Sequence, residues 1–124
     1  MKQDSKIRSY KDLVVWQKGM ELVSRIYVIT KKFPVGEQFG LTSQMQRAAV
    51  SIPANIAEGY GRNTKNEYAN FLRIARGSLT ELETLLLIAR DQSYCNEGEF
   101  SAIEKMLNEL GAMIYRLRER IVSS

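Results

Sequence analysis

Four stretches of this 124-residue chain place apolar residues at alternating spacings of three and four, and only short links separate the later stretches. That spacing is the period of a helix with one buried face. No useful run alternates apolar and polar residues at a period of two, so a sheet is not expected. The first segment runs from about Asp12, its expected N-cap, to Lys32, with Leu13, Trp16, Met20, Val23 and Tyr27 on one line. Pro34 ends it, because the residue before a proline is pushed out of the α region. The second covers about 41–61, with Leu41, Met45, Ala49, Ile52, Ile56 and Tyr60 in register, and a kink is expected at Pro53. The third, about 64–92, opens on Thr64 and Glu67 at capping-box spacing and keeps Tyr68, Leu72, Ala75, Leu79, Leu82, Leu86 and Ala89 in heptad order. The fourth, about 97–122, follows Asn96 with Phe100, Ile103, Leu107, Leu110, Ile114, Leu117 and Ile121.

Short connections force neighbouring helices to run antiparallel. The expected fold is therefore all-α, an antiparallel up-down-up-down four-helix bundle. It forms one domain over 11–122, preceded by a flexible tail at 1–10, and the link from Phe33 to Gly40 has room for a short extra turn. A hydrophobic content of 44% with 26% charged residues is enough apolar material for such a core.

The missing residue types limit the chemistry. The chain has no histidine and one cysteine, Cys95. That removes Ser-His and Cys-His nucleophile pairs, histidine metal ligands, zinc clusters and the Glu-x-x-His di-iron motif. No catalytic residue, metal or cofactor is expected, and the chain is read as a non-enzyme. The polar N-terminus lacks a signal-peptide core and no apolar run is long enough to span a bilayer, so a cytoplasmic protein without membrane contact is expected.

Two features suggest partners. The first helix carries a second apolar stripe, Val15, Leu22, Ile26, Ile29 and Phe33, roughly opposite the first. In the third helix Ile74, Leu85 and Ile88 lie off the main seam. Either the core face is wide, or one stripe meets another subunit. The second feature is charge. Residues 1–34 hold eight Lys+Arg and three acids, a net +5, while 35–124 hold ten bases and eleven acids, a net −1. Lys11, Lys18, Arg25 and Lys32 recur every seven residues, a line about 30 Å long at about 1.5 Å per residue. Such a line fits either a solvated helix face or the phosphates of a nucleic acid. Arg116, Arg118 and Arg120 form a second cluster, which also suits a helix C-terminus electrostatically.

A polar line crosses the middle of the chain: Arg47, Ser51, Asn55, Glu58 and Arg62 on the second helix, with Arg73, Arg76, Thr80, Glu81 and Glu83 on the helix that follows. It is read as a structural network of ion pairs and hydrogen bonds, since a catalytic site would need a base and a nucleophile. Gly59-Tyr60-Gly61 is not a phosphate loop, lacking the lysine and the preceding strand.

Two stretches, LTSQMQRAAVSIPANIAEGYGR at 41–62 and NFLRIARGSLTELETLLLIA at 70–89, resemble signature segments of the 23S rRNA intervening-sequence protein family. YKDLVVWQKGMELV at 10–23 and Phe33-Pro34 extend the likeness to most of the chain. The resemblance implies a four-helix bundle, commonly a ring-like homopentamer, often labelled a ribosomal protein and encoded in bacterial 23S rRNA genes or elsewhere. It is similar also to the accessory variability protein of diversity-generating retroelements, a basic pentamer that binds nucleic acid and a reverse transcriptase. Arg47, Ser51, Asn55, Glu58, Arg76 and Ser78 carry the signature, with no catalytic role attached. The expectation is a homo-oligomer that binds RNA or DNA by backbone electrostatics. The alternative is a scaffold that docks a protein such as a polymerase or reverse transcriptase without touching nucleic acid.

Overall fold

A computed structural model describes residues 7–124, and the expectations that fall on residues 1–6 lie outside it. Four helices carry the chain: α1 Val14–Thr30, α2 Leu41–Tyr60, α3 Lys65–Asp91 and α4 Glu97–Ser123, with single 3-10 turns at Tyr10–Asp12 and Val35–Glu37. No strand occurs among the described residues.

The helix starts follow from local hydrogen bonding. Thr64 caps α3 by accepting the Glu67 N–H at 3.1 Å. Asn96 caps α4 reciprocally: its side-chain oxygen accepts the Glu99 N–H at 2.8 Å and the Glu99 carboxylate accepts the Asn96 N–H at 3.0 Å. The expected cap of α1 is different. Asp12 closes a capping box one turn earlier, accepting the backbone N–H groups of Arg8 at 2.8 Å and Ser9 at 3.3 Å. The chain therefore makes a 3-10 turn, extends at Leu13 and begins α1 only at Val14. Ile7 and Tyr10 pack against the core, with the Tyr10 ring edge-on to Trp16 at 5.3 Å. Ile7 and Tyr10 thus reach the core ahead of Lys11.

The contacts establish the topology. Ser51 meets Ser78, and a Cβ on Gly59 would meet Phe71, so positions fall along α3 as they rise along α2. Arg90 lies over Phe100 while Arg118 reaches Ala69, which sets α3 against α4 in the same antiparallel sense. Gly19 faces Pro53 and Gln46 donates to Thr30, pairing α1 with α2. Lys32 pairs with Glu99, while Val14 and Leu117 share a groove at the other end, so α1 also opposes α4. α2 runs as one helix with Pro53 inside it.

The core fills as the heptads require. Leu22, Ile26, Met45, Ile52, Ile56, Leu72, Leu82, Leu86 and Ile114 are fully buried. Each such side chain contributes about 1.5–3 kcal/mol relative to exposure. Leu85, expected off the seam of α3, is buried with them, whereas Ile74 and Ile88 are exposed.

Candidate nucleic-acid interface

Helix α1 presents three different faces, and its neighbours decide which is which. Val15, Leu22, Ile26 and Ile29, with Phe33 beyond the helix end, form its buried face. Of the other stripe, only Leu13 at the entrance is buried. Trp16 and Val23 are half-buried, and Met20 and Tyr27 are exposed. At 100° per residue this stripe flanks Gly19 and Thr30, the residues that touch Pro53 and Gln46 of α2. Val50 and Ala57 flank the same contacts on α2, and Val50 is exposed. The stripe therefore continues across α1 and α2 as one apolar face.

The basic residues lie on the opposite edge of α1. Lys11, Lys18, Arg25 and Lys32 are all exposed, but they do not form one helical line. Lys11 belongs to the 3-10 turn, and Lys32 lies past the end of α1, where it is ion-paired with Glu99. Lys18 and Arg25 remain on α1, on the side that turns toward α4.

Part of the second cluster lies at the Lys11 and Lys18 end of the bundle. Residues 116 and 120 are one helical turn apart, whereas 118 points about 160° away from each of them. Arg118 accordingly turns inward, its Nε donating to the Ala69 carbonyl of α3 at 3.2 Å, and serves as a clamp between helices. Arg116 and Arg120 instead line a groove of about 590 Å³ with Leu13, Val14, Met113 and Leu117 between α1 and α4. Counting back from the Lys32–Glu99 contact, antiparallel pairing sets Lys18 level with about Met113 and Lys11 level with about Arg120. Lys11 and Lys18 are thus at the same end of the bundle as Arg116 and Arg120. Glu119 lies in the same groove and Glu21 on the adjoining surface of α1.

The expected polar network separates into parts. Ser51 and Ser78 hydroxyls are 2.8 Å apart across α2 and α3, and Asn55 Nδ2 donates to the Ser51 carbonyl at 2.8 Å and its hydroxyl at 2.9 Å. Glu58 and Arg62 form an i,i+4 ion pair at 2.6 Å, with the Arg62 guanidinium also 4.8 Å from the Phe71 ring. Arg76 stacks over Tyr115 of α4 at 5.0 Å. Arg47 is exposed apart from these groups. Ser51 and Asn55 are bonded to each other, and Ser51 to Ser78, while Arg47 and Glu58 at either side of them are exposed, so the line does not join in a single network. Cys95 is buried, and desolvation followed by the nearby Glu99 and Glu97 charges raises its thiol above the ordinary value, away from a reactive thiolate.

The link between α1 and α2 holds what periodicity could not find. Glu37 uses both carboxylate oxygens: one accepts the Leu41 N–H at 3.2 Å, the other the Tyr94 hydroxyl at 2.9 Å. That hydrogen bond, before burial, holds the Tyr94 phenol above its ordinary pKa. Around this anchor Val35 and Phe39 stand in solvent. Their signal was two large apolar residues within a short non-helical link.

The family model described as 23S rRNA-intervening sequence protein matches residues 11–116. A crystal structure from Bacteroides thetaiotaomicron VPI-5482, described as a protein of unknown function from the S23 ribosomal protein family, is similar with a TM-score of 0.78 and 28% identity. The similarity covers 85% of this chain and 98% of that one. No curated protein matches. No helix among the described residues is long and apolar enough to cross a membrane.

Proposed function

Because the chain belongs to the 23S rRNA-intervening sequence protein family, we propose that it is a non-enzymatic, homo-oligomeric four-helix bundle that binds RNA or DNA through the phosphate backbone. The observation that supports this most is that exposed Lys11 and Lys18 lie level along the bundle with Arg116 and Arg120 of the α1–α4 groove, with Arg25 further along α1. Lys32 and Arg118 contribute less, since Glu99 and the Ala69 carbonyl already engage them. Exposed cations without an aromatic platform favour phosphates over bases, so binding is sequence-tolerant and weakens steeply with salt. Self-association repeats the basic face in every subunit and multiplies its field.

The test is fluorescence anisotropy with labelled RNA and DNA across a salt series, comparing the wild type with a Lys18→Glu/Arg25→Glu double variant. Both side chains are exposed, so the bundle stays helical by circular dichroism. Affinity falls at least tenfold, and the slope of log K against log salt shrinks by about two units. Unchanged affinity and slope reject the site. A protein scaffold that ignores nucleic acid would show no salt-dependent binding by either chain, together with a stable protein partner on pull-down.

A further inference from the structure

We propose that the groove between the start of α1 and the end of α4 binds a small amphipathic carboxylate, with its acyl chain on the apolar floor and its head group on Arg116 and Arg120. Both arginines also belong to the nucleic-acid reading above, but this site does not depend on it.

The break ahead of α1 opens the groove. The chain is extended at Leu13, between the 3-10 turn and α1, and the capping box of Ser9 and Asp12 fixes the segment before it. Asp12 accepts the Arg8 N–H at 2.8 Å, directly after Ile7. Ile7, Leu13 and Val14 line the groove from this segment and the start of α1, and Met113 and Leu117 line it from α4. Walls held by a capping box and a helix need little reordering to accept a ligand. The volume of about 590 Å³ suits a small molecule, whose sites span roughly 300–1,000 Å³ and often lie between the helices of a bundle.

Charge decides which small molecule fits. Arg116 and Arg120 are one turn apart, and position 120 lies about 20° from Met113 around the helix axis, so the cations border the apolar row. Among the described residues no carboxylate is within ion-pair distance of either arginine. The Glu119 carboxylate also lines the groove, but it lies 3.9 Å from the Arg118 guanidinium, which offsets its charge. Guanidinium groups bind carboxylates through paired N–H donors, and here they stand beside bare hydrocarbon. A nucleic acid has no apolar tail to cover that floor, and a neutral lipid leaves the arginines unanswered. Met113 and Arg120 are about 10 Å apart along α4 at about 1.5 Å per residue, which suits a chain of medium length.

Isothermal titration and methyl NMR on the full chain test the site with decanoate, octanoate, acetate and 1-octanol. Decanoate moves the methyl signals of Leu13, Val14, Met113 and Leu117, and affinity falls about fourfold for each methylene removed. Acetate, which has the charge without the chain, leaves those methyls unmoved. An Arg116→Gln/Arg120→Gln variant, altered only at exposed side chains, keeps its helicity. It binds octanoate at least tenfold more weakly and 1-octanol as the wild type does. Decanoate that fails to bind at millimolar concentration overturns the proposal, as does equal binding of octanoate by the arginine variant. Acetate that binds as tightly as decanoate reduces the site to simple anion pairing and also overturns it. Methyl shifts confined to Val28, Val35 or Val50 place the ligand elsewhere. A fall in mass by light scattering on adding decanoate identifies a second copy as the groove's occupant, and overturns the assignment too.

Discussion

The same substitution, glycine to alanine, has opposite effects at two helical positions in this bundle. In an exposed helix interior alanine is favoured over glycine by about 1 kcal/mol, because glycine loses more backbone freedom on folding. At Gly77 of α3 a Cβ would meet nothing within 4 Å, so this gain is realised in full. At Gly59, near the end of α2, the new Cβ would lie 2.8 Å from the Cβ of Phe71, 3.1 Å from a Tyr68 ring carbon and 3.2 Å from the Tyr68 carbonyl oxygen. Two of these atoms are backbone or bonded directly to it, so they cannot swing aside and α2 must move from α3. Overpacking of this kind costs about 1–3 kcal/mol, and the fixed neighbours place the cost toward the upper part of that range. Set against the propensity gain, Gly59→Ala is destabilised by about 1–2 kcal/mol while Gly77→Ala is stabilised by about 1 kcal/mol. Thermal melts by circular dichroism at one fixed protein concentration would separate them, since 1 kcal/mol moves Tm by about 4 °C at this size. A Gly59→Ala protein that melts at or above the wild type would refute the claim that glycine is needed for close approach of α2 and α3.

Further consequences concern the start of α4 and its acid sensitivity. Asn96→Ala removes the cap and strands the reciprocal bond of Glu99, so stability falls by about 1 kcal/mol in urea titrations; no change would mean that the cap is redundant. The Glu99 carboxyl is held below its ordinary 4.5 first by the hydrogen bond from Lys32 and then by the Asn96 N–H. A lowered folded-state pKa contributes stability that is complete above the unfolded value and lost as pH falls through the folded one. Acidification from about pH 6 to about pH 3 should therefore destabilise the wild type more than Lys32→Met, and equal losses in urea titrations would exclude this pair as a contributor.

Much of the architecture was legible in the residues because helical periodicity and capping are local. The seams of α2, α3 and α4, the caps at Thr64 and Asn96, and the short links that force antiparallel neighbours all act within a few residues of each other. Asp12 was misplaced for a local reason too: Ser9 competes for it and shifts the cap one turn upstream. The candidate site was less legible. The cations themselves could be named from the sequence, but not which of them Glu99 or Ala69 would engage.

By itself the sequence determined how many helices form, where most of them begin, and that α1 has two apolar sides, since each depends on a 100° step along one helix. Only the tertiary structure decided which side faces inward. Packing against α2, α3 and α4 buries Val15, Leu22, Ile26 and Ile29 and leaves Met20 and Tyr27 in solvent. It likewise carries Arg116 and Arg120 to a groove shared with Leu13 and Val14 while turning Arg118 toward α3. Contacts between segments far apart in the chain depend on how whole helices pack, and no local period encodes that.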